Sequence, residues 1–480
     1  MKRHTFLLIL LIVKVNVLPA QVTARFDSLF NTLYKQGNFN GCVLVAEKGK
    51  PVYERALGYA NFATHQPLTN TTMFELASVS KQFTSMAIMQ LHQAKKLRYN
   101  DNLTKYFPQL HYHGITISNL LHHTSGLQDF ADLDKQLVNV NRINYNQDIL
   151  STLIKHNPSL LFKPGEHFNY SNTNYVLLAL IIEKLSGTSF GSYMDKNIFR
   201  PLGMSNTKVY AQRAEKHQIK NYAYGFVYNP RNGGFIINDS LAANSDQYHF
   251  DGISGPYGIS STTEDMLKWD QALYTDKLVS KQEQDSAYAP SKLNDHTIAA
   301  MDGFTYGFGW LISPEDEHTG KTYFHTGGLI GYESILIRYP EKNKTIIILT
   351  NTWNTVNILQ LASAMENILF NQPFSLSQAI SLIGQPLQKM VALSPAQLKA
   401  VDGTYSFTKI PNRTITLTSD CKQVYSQVSG QVKVELYPES EFDFFYTVVD
   451  AHIKFLKGSS GFVRKLTLYQ NGEQLEAIKE

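Results

Sequence analysis

Cysteine is scarce: the 480 residues include only Cys42 and Cys421. That excludes a disulfide-stapled scaffold. Neither sign of charge dominates, with 44 Lys and Arg against 40 Asp and Glu for a formal net charge of +4. Part of that small excess, Lys2, Arg3 and Lys14, lies at the very start of the chain. The balance argues against nucleic acid as a partner. No apolar run beyond the N-terminus is long enough to span a bilayer, and no long repeat or low-complexity tract occurs. With 43% hydrophobic and 18% charged residues, the chain can bury a sizeable core and is neither disordered nor collagen-like.

What is present begins with residues 1–20. Lys2 and Arg3 precede an unbroken apolar stretch from Phe6 to Val13, and Leu18-Pro19-Ala20 puts a small residue before Gln21. This predicts a removable signal peptide and hence an exported protein, periplasmic or secreted, with no stable membrane span after cleavage. The run is too short for an anchor and Lys14 interrupts it. Neither cysteine sits where a lipoprotein would need one.

Phe26, Leu29, Phe30 and Leu33 then fall at helical spacing, and residues 41–46 and 51–58 are extended runs around Glu47-Lys48-Gly49-Lys50. The pattern predicts a helix followed by a β-hairpin. From 78 to 300 it is mostly helical with long loops, including a helix over 175–185 closed by Gly187. Strand pattern returns at 306–312, 321–325, 332–339 and 345–350, and a helix is expected over 356–370. This order predicts an α+β domain over 24–372: one antiparallel sheet built from both ends of the segment, with a helical region inserted and a cleft between. A linker is expected at 373–394. Short alternating runs at 403–408, 414–418, 432–438, 442–449, 453–456 and 464–469 predict a small all-β domain over 395–480.

Three stretches suggest chemistry. In Phe74-Glu75-Leu76-Ala77-Ser78-Val79-Ser80-Lys81, a helix would put Ser78 and Lys81 on one face. A lysine of lowered pKa could then act on the serine hydroxyl. The spacing alone is weak, since Ser-x-x-Lys recurs at Ser205, Ser406 and Ser419. Tyr170-Ser171-Asn172 follows Lys163-Pro164-Gly165 and precedes an apolar helix, so a loop tyrosine of lowered pKa could relay a proton while the Asn172 amide meets substrate. His-Thr-Gly occurs at His318 and at His325. The first has the composition of an exposed turn. The second continues a strand into Gly327 and Gly328, where substrate could lie against the backbone and the Gly328 N–H could join that of Ser78 in an oxyanion hole.

Together these elements resemble the serine β-lactamase and D-alanyl-D-alanine carboxypeptidase superfamily, in the branch that includes class C β-lactamases, D-aminopeptidases and family VIII esterases. Supporting stretches are Leu120-Leu121-His122-His123-Thr124-Ser125-Gly126-Leu127, Pro201-Leu202-Gly203-Met204, 258–266 and Tyr306-Gly307-Phe308-Gly309-Trp310. The resemblance implies an α/β sandwich, with Ser78 as nucleophile, Lys81 and Tyr170 as the proton-transfer pair and Asn172 as a substrate-orienting amide. His325, Thr326, Gly327 and Gly328 would bind substrate and the oxyanion. It implies no metal and no cofactor. The tail resembles the lipocalin-like extensions of some members.

His325 stands where many members carry lysine, so a permanent cation for a substrate carboxylate is missing. The expected activity is therefore an exported serine hydrolase working through an acyl-serine on an ester, amide or peptide bond of a small molecule or peptide, with β-lactams poor substrates. The alternative is a non-catalytic sensor of cell-wall peptides or penicillins. Three other patterns weigh less. Gly187-Thr188-Ser189-Phe190-Gly191 matches a nucleophile elbow but follows a helical stretch. Gly320-Lys321-Thr322 lacks the first glycine of a phosphate loop. His111, His113, His122 and His123 have no accompanying carboxylate or cysteine pattern for a metal.

Overall fold

The structure, a computed structural model, describes residues 17–133, 142–214, 218–241, 249–301, 303–384, 387–411, 413–429, 431, 433–457, 462–470 and 472–480. Most of the expected signal peptide, including its apolar run, lies outside them. No helix among the described residues is long and apolar enough to cross a membrane.

The hairpin forms as expected, from strands Gly41–Glu47 and Lys50–Leu57, with Lys48 and Gly49 both at positive φ in its turn. Strand Gly41–Glu47 also pairs along its whole length with Lys344–Thr350, from the far end of the domain. The two ends thus share one eight-stranded antiparallel sheet. Side-chain alternation makes this sheet a middle layer. Val43 and Val45 pack with Phe26, Phe30, Leu361 and Met365 from helices Val17–Lys35 and Ile358–Leu369. Cys42, Leu44 and Ala46 face the inserted helical region, in the core around Phe83, Ile181 and Trp269. The sheet therefore buries apolar side chains on both faces, each square ångström removed from water contributing about 25 cal/mol.

The inserted region is less helical than expected. It also contains a small sheet of Phe74–Glu75, Ile259–Ser261 and Lys208–Val209, and a hairpin of Phe226–Asn229 and Gly234–Ile237. Residues 306–312, expected as one strand, form two, Phe304–Tyr306 and Leu311–Ile312. Between them Gly309 takes φ +73, and a Cβ there would lie 2.8 Å from the Lys81 carbonyl carbon. The strand breaks where the chain turns against the first turn of helix Lys81–Gln93, an approach only glycine permits.

Helix Leu376–Ile383 lies within the stretch 373–394 and buries Ala379 and Ile383 against the N-terminal helix layer. The C-terminal residues form a closed eight-stranded barrel from Gly403–Phe407 to Glu473–Lys479, completed by pairing of Tyr405 with Lys479. Alternate residues such as Ile415, Leu417, Leu436, Phe444, Ile453 and Leu466 fill its interior. Cys42 and Cys421 are both free.

Candidate active site

Ser78 sits in a 3₁₀ turn, Ala77–Ser80, that runs directly into the helix Lys81–Gln93. The expected buried face is present, with Val79, Phe83, Met86, Ala87 and Leu91 in the core. Just before the serine, Ala77 is buried at φ +47, an unfavourable conformation for a residue with a Cβ. Glu75 holds it there. Its Oε1 accepts the Ala77 N–H at 3.1 Å and the Gly258 N–H at 3.0 Å, and its Oε2 accepts the Ser260 hydroxyl at 3.3 Å. Burial pushes the Glu75 carboxyl up to about 8 even against these donors.

Lys81 is fully buried, where a cleft-lining position was expected. Its Nζ lies 3.1 Å from Ser78 Oγ, 2.7 Å from Asn172 Oδ1 and 3.0 Å from the Pro256 carbonyl. Burial lowers it from 10.5 to about 7, with Asp129 opposing. An uncharged amine has two N–H donors and one lone pair, and that is the complement of two carbonyl oxygens and one serine hydroxyl.

Asn172 begins the helix Asn172–Ser186. Its backbone N–H and its Nδ2 donate to Asp129 Oδ2 at 2.6 and 2.9 Å, which fixes the amide so that Oδ1 faces Lys81. Both ends of the amide are thus engaged by protein.

The half-buried Tyr170 hydrogen-bonds Ser78 through its hydroxyl, and its ring centroid lies 4.7 Å from Lys81 Nζ. The expectation of a lowered tyrosine pKa is corrected: burial pushes this phenol up, well outweighing the Ser78 hydrogen bond. The group is a neutral hydroxyl. His123 positions it, with its ring 4.3 Å from that of Tyr170 and Nδ1 accepting the Ser171 N–H at 3.1 Å. That bond leaves the imidazole proton on Nε2, and burial and Lys81 push His123 far down, so it is neutral. His122 lies between the Ser118 and Ala289 carbonyls, with Nδ1 3.0 Å from the first and Nε2 3.2 Å from the second, and burial lowers its pKa.

His325, Thr326, Gly327 and Gly328 lie on strand Tyr323–Leu329. Among the described residues its outer neighbour, Leu311–Ile312, pairs only with Tyr323 and Phe324, so the edge from His325 onward is open. Gly327 is required by contact: a Cβ would lie 2.2 Å from the Leu76 carbonyl oxygen and 2.3 Å from Ser334 Oγ. His325 is buried. Its Nδ1 lies 2.6 Å from the Thr326 carbonyl and its Nε2 2.9 Å from the Tyr306 hydroxyl. Burial and Lys81 push it down to about 3, so it carries no charge at neutral pH.

Beside the site, a cavity of about 190 Å³ reaches Asn172, Glu75 and Gly258 and is walled by Phe130, Tyr210, Tyr222, Phe250, Tyr257 and Tyr332. Among the described residues the one cation in its lining, Arg213, is bound to Asp239 and Asp251. A substrate carboxylate therefore finds no unpaired positive charge among them.

The other patterns do not join the site. His318 is exposed in the turn closed by Asp316 and Gly320. Ser189 caps the short helix Phe190–Met194 by accepting the Ser192 N–H. Residues that the sequence reading left out are Asp129, Glu75 as a backbone clamp, His123 as a ring support and the Pro256 carbonyl. Only Glu75 and His123 lay in stretches already singled out.

Comparison with known proteins agrees with this geometry. The family model described as Beta-lactamase matches residues 26–364. Penicillin-binding protein 4* of Bacillus subtilis (strain 168) is 36% identical over 458 residues, covering 95% of this chain and 98% of that protein. Among solved structures, a penicillin binding protein from Bacillus halodurans shares 26% identity at TM-score 0.60, over 71% of this chain and 98% of its own. The octameric penicillin-binding protein homologue from Pyrococcus abyssi shows the same fold at 22% identity and TM-score 0.62, over 95% of this chain and 99% of its own.

Proposed function

The chain belongs to the beta-lactamase family of serine hydrolases, and from that premise we propose that it hydrolyses an ester, amide or peptide bond through an acyl-serine at Ser78. Support for this reading comes above all from Lys81, an amine near pKa 7 buried within hydrogen-bond reach of the serine hydroxyl. Uncharged Lys81 takes the Ser78 proton as Oγ attacks the carbonyl carbon. The N–H groups of Ser78 and Gly328 receive the developing oxyanion, and Thr326 and Gly327 belong to the strand edge along which substrate lies. Tyr170, a neutral phenol, passes a proton to the leaving group and recovers one through Lys81. Water, deprotonated by the same pair, then releases the acyl group. Asn172 orients Lys81 as well as substrate, and His325 supports the strand without supplying charge.

The substrates that fit best have an uncharged acyl portion, since neither His325 nor the ion-paired Arg213 offers a free cation. Export by a leader over 1–20, a hydrolase domain over 24–372, a linker over 373–394 and a lipocalin-like domain over 395–480 complete the proposal.

The test uses the full-length mature chain and p-nitrophenyl butyrate. Repeated turnover is expected, with an acyl adduct on Ser78 by intact mass at short times. Ser78→Ala, with unchanged circular dichroism, should abolish both. The alternative, a penicillin-recognising protein that acylates once and stops, predicts one equivalent of p-nitrophenol and no more. Equal turnover by parent and Ser78→Ala would refute Ser78 as nucleophile.

The pH profile follows from the two proton carriers. A base works when unprotonated, so kcat/KM should rise with pH through about 7 as Lys81 loses its proton. Tyr170 stays protonated into the alkaline range, so a plateau is expected up to about pH 9. A profile that falls between about pH 7 and 9 would contradict these assignments.

A further inference from the structure

The barrel meets the catalytic half at a small sheet in which Thr352–Trp353 pairs in parallel with Phe226 and Val227. From the adjoining hairpin turn, Arg231 reaches the Lys422 carbonyl at 3.3 Å and the Gln423 side chain. Trp353 donates its indole N–H to the Val448 carbonyl of the barrel at 2.8 Å. The same indole also reaches the other way. Its Cζ3 and Cη2 lie 3.4 Å from the point where a Cβ on Gly328 would sit. Gly327 faces the opposite side, where its missing Cβ would meet Leu76 and Ala77. The two-glycine segment therefore lies between the nucleophile turn, in close contact with Gly327, and the Trp353 ring, which faces Gly328 across the space of one methyl group.

We propose that Trp353 is a positioning residue that fixes the Gly328 N–H for the oxyanion, and that the barrel, by holding Trp353, is a working part of the catalytic apparatus. The proposal rests on the reading of Gly328 as an oxyanion donor. Two consecutive glycines have no side chains to restrict their torsions, and the strand's outer edge is open here. Pairing with Tyr332–Tyr339 holds the inner edge of the strand, and the remaining tilt of this N–H is limited by what lies on the two faces. One face has the nucleophile turn, anchored by Ser334 Oγ donating to the Leu76 carbonyl at 2.7 Å. The other has an indole whose own rotation is blocked by a bond to the barrel backbone. A second tie runs alongside: the backbone N–H of Asn354 donates to Glu333, the residue paired with Gly328 across the sheet.

The test compares Trp353→Phe, which keeps a ring against Gly328 but loses the N–H to Val448, with Trp353→Ala, which loses both. With p-nitrophenyl butyrate and the full chain, kcat should fall about fivefold to tenfold in the first and about 100-fold in the second. KM should stay within about threefold, because Trp353 does not line the cavity beside Asn172. The pH midpoint near 7 should not move, since Lys81 keeps its surroundings. If Trp353→Ala fails to fold, Trp353→Phe still decides. A Trp353→Phe enzyme within about twofold of the parent in kcat would overturn the proposal. So would a loss of kcat accompanied by a displaced pH midpoint, which marks general loosening around Lys81. Absence of Ser78-dependent turnover in the parent would instead refute the functional reading beneath it.

Discussion

Replacing Lys81 with methionine should lower kcat by about 10⁴-fold or more, the scale seen when a nucleophile loses its base, yet leave the fold near the parent's stability at pH 7. Methionine has a similar length and no charge to desolvate. In the parent, burial lowers Lys81 from 10.5 to about 7, so between those values the unfolded chain binds a proton that the folded chain has released. Stability then rises with pH across this window. The full penalty, on the order of 5 kcal/mol, applies below about pH 7 and disappears above the unfolded value. Against that relief, methionine leaves Asn172 Oδ1 and the Pro256 carbonyl without their donor, at about 1–3 kcal/mol each. The two effects nearly cancel at pH 7. Denaturant midpoints should therefore be similar for parent and variant at about pH 7, with the parent gaining on the variant as pH rises to about 9. A variant far less stable at every pH, or one that still turns over substrate, would refute the assignment of Lys81 as a buried base.

Such a lysine is legible in the sequence only as a candidate. Ser-x-x-Lys occurs four times, and local pattern does not say which lysine will be buried; agreement with the Tyr170 and His325 stretches singles out Lys81. What local pattern encodes well is a short apolar run between turn signals: Cys42, Val43, Leu44 and Val45, between Gly41 and the Glu47–Lys50 turn, read as a strand buried on both faces. What it encodes poorly is contact between distant segments. Asp129 reads as an ordinary loop acid until the chain brings it to Asn172, 43 positions away. The rise in the Tyr170 pKa is a property of its burial, which no neighbour in sequence reports. The barrel's last strand, Glu473–Lys479, alternates too weakly to be recognised and is fixed by the two strands that flank it, Val463–Gln470 and Gly403–Phe407. Trp353 carries no motif at all. Its place between Gly328 and the barrel exists only in three dimensions.

The same distinction governs the largest expected loss of stability. Asp270, on helix Thr263–Ala272, is fully buried and accepts Arg338 Nε at 3.0 Å, Thr345 Oγ1 at 2.6 Å and Gln271 Nε2 at 2.8 Å. Arg338 has 2% of its side chain exposed, and its guanidinium carbon lies 4.7 Å from the Tyr274 ring centroid. Asp270→Ala should cost about 3–5 kcal/mol, because it leaves a guanidinium in the core with no counter-charge. Replacing both partners, Asp270→Leu with Arg338→Met, should recover most of that loss, since the desolvation of two charges disappears together. Activity should not recover with it. The pair ties the helix that follows Ile259–Ser261, and with it the segment presenting Pro256 to Lys81, to strand Tyr332–Tyr339, the neighbour of the open strand edge. Apolar side chains there can slide, whereas a hydrogen-bonded ion pair has one register. The double variant is expected to unfold close to the parent in denaturant but to show a kcat about tenfold lower. Parent-like kcat in the double variant would mean that the pair does not align the two halves of the cleft.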